Sequence, residues 1–104
     1  MKKSLLVEIV ASSLSEARNL FDSSYGILLD AHESEYRGGE YFRCEIDGVV
    51  LALQENFLED DGEKTEAEFP KSEYLLYMDG DDVAVDKVLS RISEGKKILR
   101  SSVY

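Results

Sequence analysis

EYFRCEIDGVVLALQENF, residues 40–57, sets an Asp-Gly pair between two runs rich in β-branched and aromatic residues. A type I′ turn needs two residues that tolerate positive φ, and Asp47-Gly48 supplies them. With that turn the register follows. Ile46 faces Val49, Cys44 faces Leu51 and Phe42 faces Leu53, which gathers an apolar surface on one side of the ribbon. The other side pairs Glu45 with Val50, Arg43 with Ala52 and Tyr41 with Gln54. A one-residue slip would scatter the apolar side, so the pattern itself specifies the register. The apolar face requires a cover, and the mixed face is suited to lining a cavity.

Working outward, Lys3 to Ala11 alternates as a strand, with Leu5, Val7 and Ile9 on one side and Leu6, Glu8 and Val10 on the other. Ser13 and Glu16 have the spacing of a capping box, and Leu14, Ala17, Leu20 and Phe21 share a helical stripe. The expectation is a helix over 14–24, closed by Gly26 as a left-handed cap, then a strand over 27–33 and a turn at Gly38 and Gly39. Beyond the hairpin, LEDDGEKTEAEFP (58–70) reads as a solvated acidic connection. A strand over 74–79 follows. Asp82 is placed to cap a helix bearing Val85, Val88, Leu89 and Ile92, Gly95 to close it, and 97–104 to form a last strand.

The chain has 104 residues, enough for one compact domain, and 12 basic against 22 acidic side chains give a formal net charge of −10. Such a field repels nucleic acid and anionic membrane surfaces, so neither is an expected partner. No apolar run approaches the roughly 20 residues of a membrane span. MKKSLLVEIV is interrupted by Glu8 and leads to no small-residue cleavage site, which points to a cytoplasmic protein whose first segment is a strand. Cys44, the single cysteine, excludes an internal disulfide and falls on the apolar face, where it acts as a small hydrophobe.

Strand, capped helix, glycine and strand occur twice. Aligning Gly26 with Gly95 gives an offset of 95 − 26 = 69, at which Leu6 falls on Leu75, Val7 on Leu76, Leu14 on Val83, Leu20 on Leu89 and Leu29 on Ile98. On the segments Leu5 to Phe21, Asp47 to Asn56 and Tyr74 to Leu99, the chain resembles the vicinal-oxygen-chelate superfamily of glyoxalase and bleomycin-resistance proteins. The resemblance implies an α+β fold: a βαβββ module over 1–57, an acidic linker over 58–72 and an incomplete second βαβ unit over 73–104. Helices would lie on one face of an antiparallel sheet. It also implies two modules about a pseudo-twofold axis, with curved strands around a ligand cavity. Carried over by position, the family's metal ligands fall on Leu6, Ala52 and Leu75, none of which can bind a metal, so no cofactor and no metal-assisted chemistry is expected. The second module lacks its hairpin. Either a second copy of the chain fills the resulting gap between the strands at Tyr74 and Lys97, giving a homodimer, or those strands pair directly in one ferredoxin-like sheet.

The best candidates for a binding face are Glu8, Tyr41, Arg43, Gln54 and Tyr77, with Arg43 placed to pair with Glu8 or Glu45 or to receive an anion. His32 and Asp30 share a strand face, and Glu8 from a neighbouring strand would complete a weaker alternative, a metal or acid-base cluster. The plainer reading is a solvated edge. Asp79 to Asp82 reads as a turn and cap and lacks the later ligands of a calcium loop. No nucleophile triad, phosphate loop or Cys-x-x-Cys occurs. The expected function is non-catalytic small-molecule binding of the bleomycin-resistance type. The alternatives are an enzyme with an atypical site built on His32, Glu8 or Arg43, and an acidic protein-interaction or immunity protein.

Overall fold

A computed structural model describes residues 1–34, 39–57, 65–92 and 96–104. The elements run β1 (Lys2–Ile9), α1 (Leu14–Ser23), β2 (Asp30–Ser34), β3 (Gly39–Ile46), β4 (Val49–Glu55), β5 (Tyr74–Asp81), α2 (Asp82–Arg91) and β6 (Lys96–Val103). The fold is α+β. All six strands form one antiparallel sheet in the order β2-β3-β4-β5-β1-β6.

The hairpin forms in the register its pattern dictates, Ile46 to Val49 through Tyr41 to Gln54, with Asp47 at φ 52 and Gly48 at φ 79. Its apolar side joins Leu5, Val7 and Ile9 of β1 and Tyr74, Leu76 and Met78 of β5 under Leu14, Ala17 and Phe21 of α1 and Val85 and Val88 of α2. Both helices therefore cover one face. Each of the larger aliphatic side chains and Phe21, once buried, contributes about 1.5–3 kcal/mol.

The caps follow local chemistry. Ser13 Oγ accepts from the Glu16 amide at 3.1 Å, while the Glu16 carboxylate turns to the Ser12 amide and hydroxyl. Gly26, at φ 66, lets the Ile27 amide reach back to the Phe21 carbonyl at 2.8 Å. Arg91, in the last turn of α2, donates to the carbonyls of Tyr25 and Gly26 at 3.2 and 3.1 Å, so each βα unit braces the other. The cap of α2 is Asp81, one residue before the expected Asp82, because β5 continues to Asp81 and the helix starts without a spacer. The second strand begins at Asp30, three residues later than the pattern suggests: Ile27 and Leu29 are buried in the core as part of the chain leading out of α1. Gly39 opens β3. The roles given to Gly38 and Gly95, and residues 58–64 of the acidic connection, lie outside the described residues.

The strand order corrects the expectation of a gap. β5 sits between β4 and β1, and β1 sits between β5 and β6, so the strands at Tyr74 and Lys97 neither flank a vacancy nor pair with each other. The order β4-β5-β1-β6 is a split β-α-β arrangement, widened on the β4 side by β3 and β2. Leu76 and Met78 of β5 are buried within the chain, so neither is left for a second copy to cover. Val7 pairs with Leu76 across β1 and β5, and 76 − 7 is 69, the offset of the internal repeat. A local twofold through that pair, normal to the sheet, relates β1 to β5, but it carries β6 onto β4 and not onto β2, the strand the repeat matches with it.

Candidate functional site

The face away from the helices carries two rows of side chains that cross the whole sheet. Cross-strand partners project to the same side. One row is Asp30, Arg43, Ala52, Tyr77, Leu6 and Arg100, and the next is His32, Tyr41, Gln54, Leu75, Glu8 and Lys97. All five expected binding residues, Glu8, Tyr41, Arg43, Gln54 and Tyr77, thus share this face. They do not form one cluster. Glu8 on β1 is three strands from Arg43 on β3, roughly 14 Å at the usual spacing, so the Arg43–Glu8 pair is excluded. Among the described residues Arg43 makes no ion pair with Glu45 either.

The His32, Asp30 and Glu8 cluster does not assemble. Three strands stand between β2 and β1, a separation of about 19 Å, and no group of three or more potential ligands of this kind occurs among the described residues. His32 is an exposed residue that stacks on Tyr41, with ring centroids 5.5 Å apart. Burial, reinforced by the negative Asp30, pushes the Cys44 thiol up, which suits a packing residue and not a nucleophile.

Leu6, Ala52, Leu75 and Gln54 are buried although they point away from the helices. Among the described residues, what crosses this side is the stretch 65–73 leading into β5, and Asn56 organises it. The Asn56 side chain donates to the carbonyls of Phe69 and Ser72, both at 2.9 Å, and accepts from the Glu66 amide at 2.7 Å. Its backbone amide adds a bond to the Glu73 carbonyl at 2.8 Å. Asn56 is itself buried. Residues 65–72 consequently form a strap held from its base. Ser72 bonds the Glu8 carboxylate, which commits that candidate residue to the strap, and Lys71 and Glu73 border a notch of about 240 Å³ beside Glu8 and Tyr74.

At the other end of the strap, Glu66 reaches over Leu6. Its carboxylate accepts from the Tyr77 hydroxyl at 2.7 Å and from both terminal nitrogens of Arg100 at 3.2 and 3.1 Å. Burial pushes the Glu66 carboxyl up, but the hydrogen bonds from Arg100 and Tyr77 and the Arg100 charge outweigh it, so the net shift is downward. The Glu66 hydrogen bond correspondingly raises Arg100. Neither Glu66 nor Arg100 stands out in the sequence, because Glu66 lies in an acidic run that reads as solvated. The signal that could have found Arg100 is positional: it is the basic residue directly across from Leu6, next but one to Tyr77 in their shared row.

Comparison with known proteins found no matching family model and no curated protein of significant similarity.

Proposed function

We propose that the protein binds a small molecule on the helix-free face of its sheet without transforming it, as a metal-free protein of the vicinal-oxygen-chelate, glyoxalase and bleomycin-resistance type. The observation that carries this reading is convergence. Leu6, Ala52 and Leu75, to which the resemblance assigns ligand positions, are far apart in sequence yet lie on neighbouring registers of β1, β4 and β5. With Leu and Ala in those places the floor is apolar; the strap already covers it, so a ligand reaches it by displacing the strap and adds contacts to the polar rim of Tyr77, Arg100 and Arg43. The enzyme alternative, built on His32, Glu8 or Arg43, would have to use one of them alone, since they stand apart on β2, β1 and β3.

A fragment screen by protein NMR tests the proposal: shifts should concentrate on Leu6, Ala52, Leu75 and Tyr77. Shifts confined to the helical side, or none at all, would refute it. Elemental analysis should find no stoichiometric zinc, nickel, iron or manganese, and a chelator should leave the melting temperature unmoved.

A second reading is favoured by one feature. Glu33 and Glu40 face each other across β2 and β3, both exposed, and like charges in that position are destabilising unless a basic partner neutralises them. Capture of a basic protein by this edge, lost with added salt, would support an interaction role. As for the homodimer, its place is now the outer edge of β6, where Ile98, Val103 and Tyr104 are exposed. Light scattering across micromolar concentrations checks it, a single-chain mass throughout refuting it.

A further inference from the structure

We propose that the Arg100 guanidinium, the Tyr77 hydroxyl and the Leu6 floor form a binding site for the carboxylate of a small organic acid. Glu66 fills this site as a built-in competitor when the strap is closed. The inference rests on the ligand-platform reading above and names the class of ligand.

Four observations lead to it. Arg100 and Tyr77 belong to the sheet, on β6 and β5, and are separated by the width of β1, roughly 10 Å. The carboxylate that joins them belongs to a connection, so the Glu66 side chain can leave them without unpairing any strand. The contact is a two-pronged guanidinium clamp completed by a hydroxyl, a geometry that recognises any carboxylate of the right reach and no neutral group as well. Beneath it lies Leu6, buried with Ala52 and Leu75 beside it, a seat for the apolar body of an acid. Finally, the closed strap is imperfectly satisfied: the hydroxyl oxygen of Thr65, next to Glu66, is buried with no hydrogen-bond partner. Opening the strap returns that hydroxyl to water.

An incoming acid must compete with Glu66 at the effective concentration of a tethered group, so the intact protein binds such ligands weakly and binding is coupled to release of the strap. The seat holds one carboxylate, and the exchange moves no covalent bond and no proton. Strap position then reports occupancy.

The test uses the full chain as wild type, Glu66→Ala and the double variant Glu66→Ala/Arg100→Leu, titrated calorimetrically with sodium propionate and with propionamide at matched ionic strength. Propionate should bind Glu66→Ala about tenfold or more tighter than wild type, as removal of an internal competitor requires. The double variant should lose that gain. Equal propionate affinity in wild type and Glu66→Ala, or affinity indifferent to Arg100, overturns the proposal. Propionamide binding as well as propionate overturns the carboxylate class and leaves the platform reading standing, whereas failure of both probes removes both. Should Glu66→Ala not fold, Glu66→Gln takes its place. Independently, propionate and not sodium chloride should speed tryptic cleavage of the wild type after Lys71, and unchanged cleavage would count against strap release.

Discussion

Asn56 illustrates how one side chain can determine a long connection. Its amide satisfies three backbone groups of a segment that has no strand or helix of its own. Asn56→Ala should therefore cost at least about 2 kcal/mol, since each buried group left without a partner costs about 1–3 kcal/mol. Urea denaturation measures the loss. Asn56→Asp keeps the acceptor and loses the donors, so it should not restore stability. Two glycines make a contrasting pair. A Cβ on Gly80 would lie 2.8 Å from the Gly48 carbonyl oxygen and 3.2 Å from Val49 Cα, so its smallness is needed by the approach of β5 to the hairpin turn. At Gly48 the space is open and only φ, at 79, excludes side chains. Gly80→Ala should thus destabilise through overpacking, by about 1–3 kcal/mol. Gly48→Val should cost on the order of 1–2 kcal/mol through the left-handed backbone alone. Denaturation midpoints compare them, and an unchanged midpoint for Gly80→Ala would contradict the contact.

The strap and the hairpin differ in how far the sequence exposes them. The hairpin was legible residue by residue, because Asp47-Gly48 fixes a local register and a period of two sorts the faces. Both helices were legible too, from stripe and cap. The strap was not: its composition is that of a solvated linker, and what orders it is a single asparagine outside the run together with tyrosine and arginine on distant strands. Of the binding face, the shared side of Glu8, Tyr41, Arg43, Gln54 and Tyr77 followed from alternation alone. Their dispersal did not, since spacing across a sheet depends on strand order. The strap also gives the protein a pH signature. Glu66 has a folded-state pKa held below its unfolded value, so its contribution is complete above the ordinary glutamate value of about 4.3 and is lost as pH falls through the lower folded value. Wild type should lose more stability than Glu66→Gln in that acidic window. Urea midpoints measured from neutrality downward check this, and parallel profiles would refute it.

Across the whole molecule, strand order was the least legible feature. Pairing β1 with β5 joins residues such as Val7 and Leu76, and the apolar pattern of a doubly useful central strand is satisfied equally well by several neighbours. Only the repeat hinted at the answer, since its offset equals the separation of the paired residues on the axis. The sheet also ends in opposite charges. β2 presents Asp30 and Glu33, and β6 presents Lys97 and Arg100, all in exposed positions. At the β2 edge such charges discourage strand addition by other chains, whereas β6 also exposes the apolar Ile98 and Val103. The central position of the β1–β5 pair has a further consequence, for the order in which the molecule is made. The β3–β4 hairpin closes a two-residue loop and can form within microseconds, but the middle of the sheet must wait until β1 meets a strand nearly seventy residues away. Such a contact pays its closure entropy before it returns any stability. On a ribosome β1 emerges well before β5 and stays without that central partner until β5 has been synthesised, so a strand made early is sealed late.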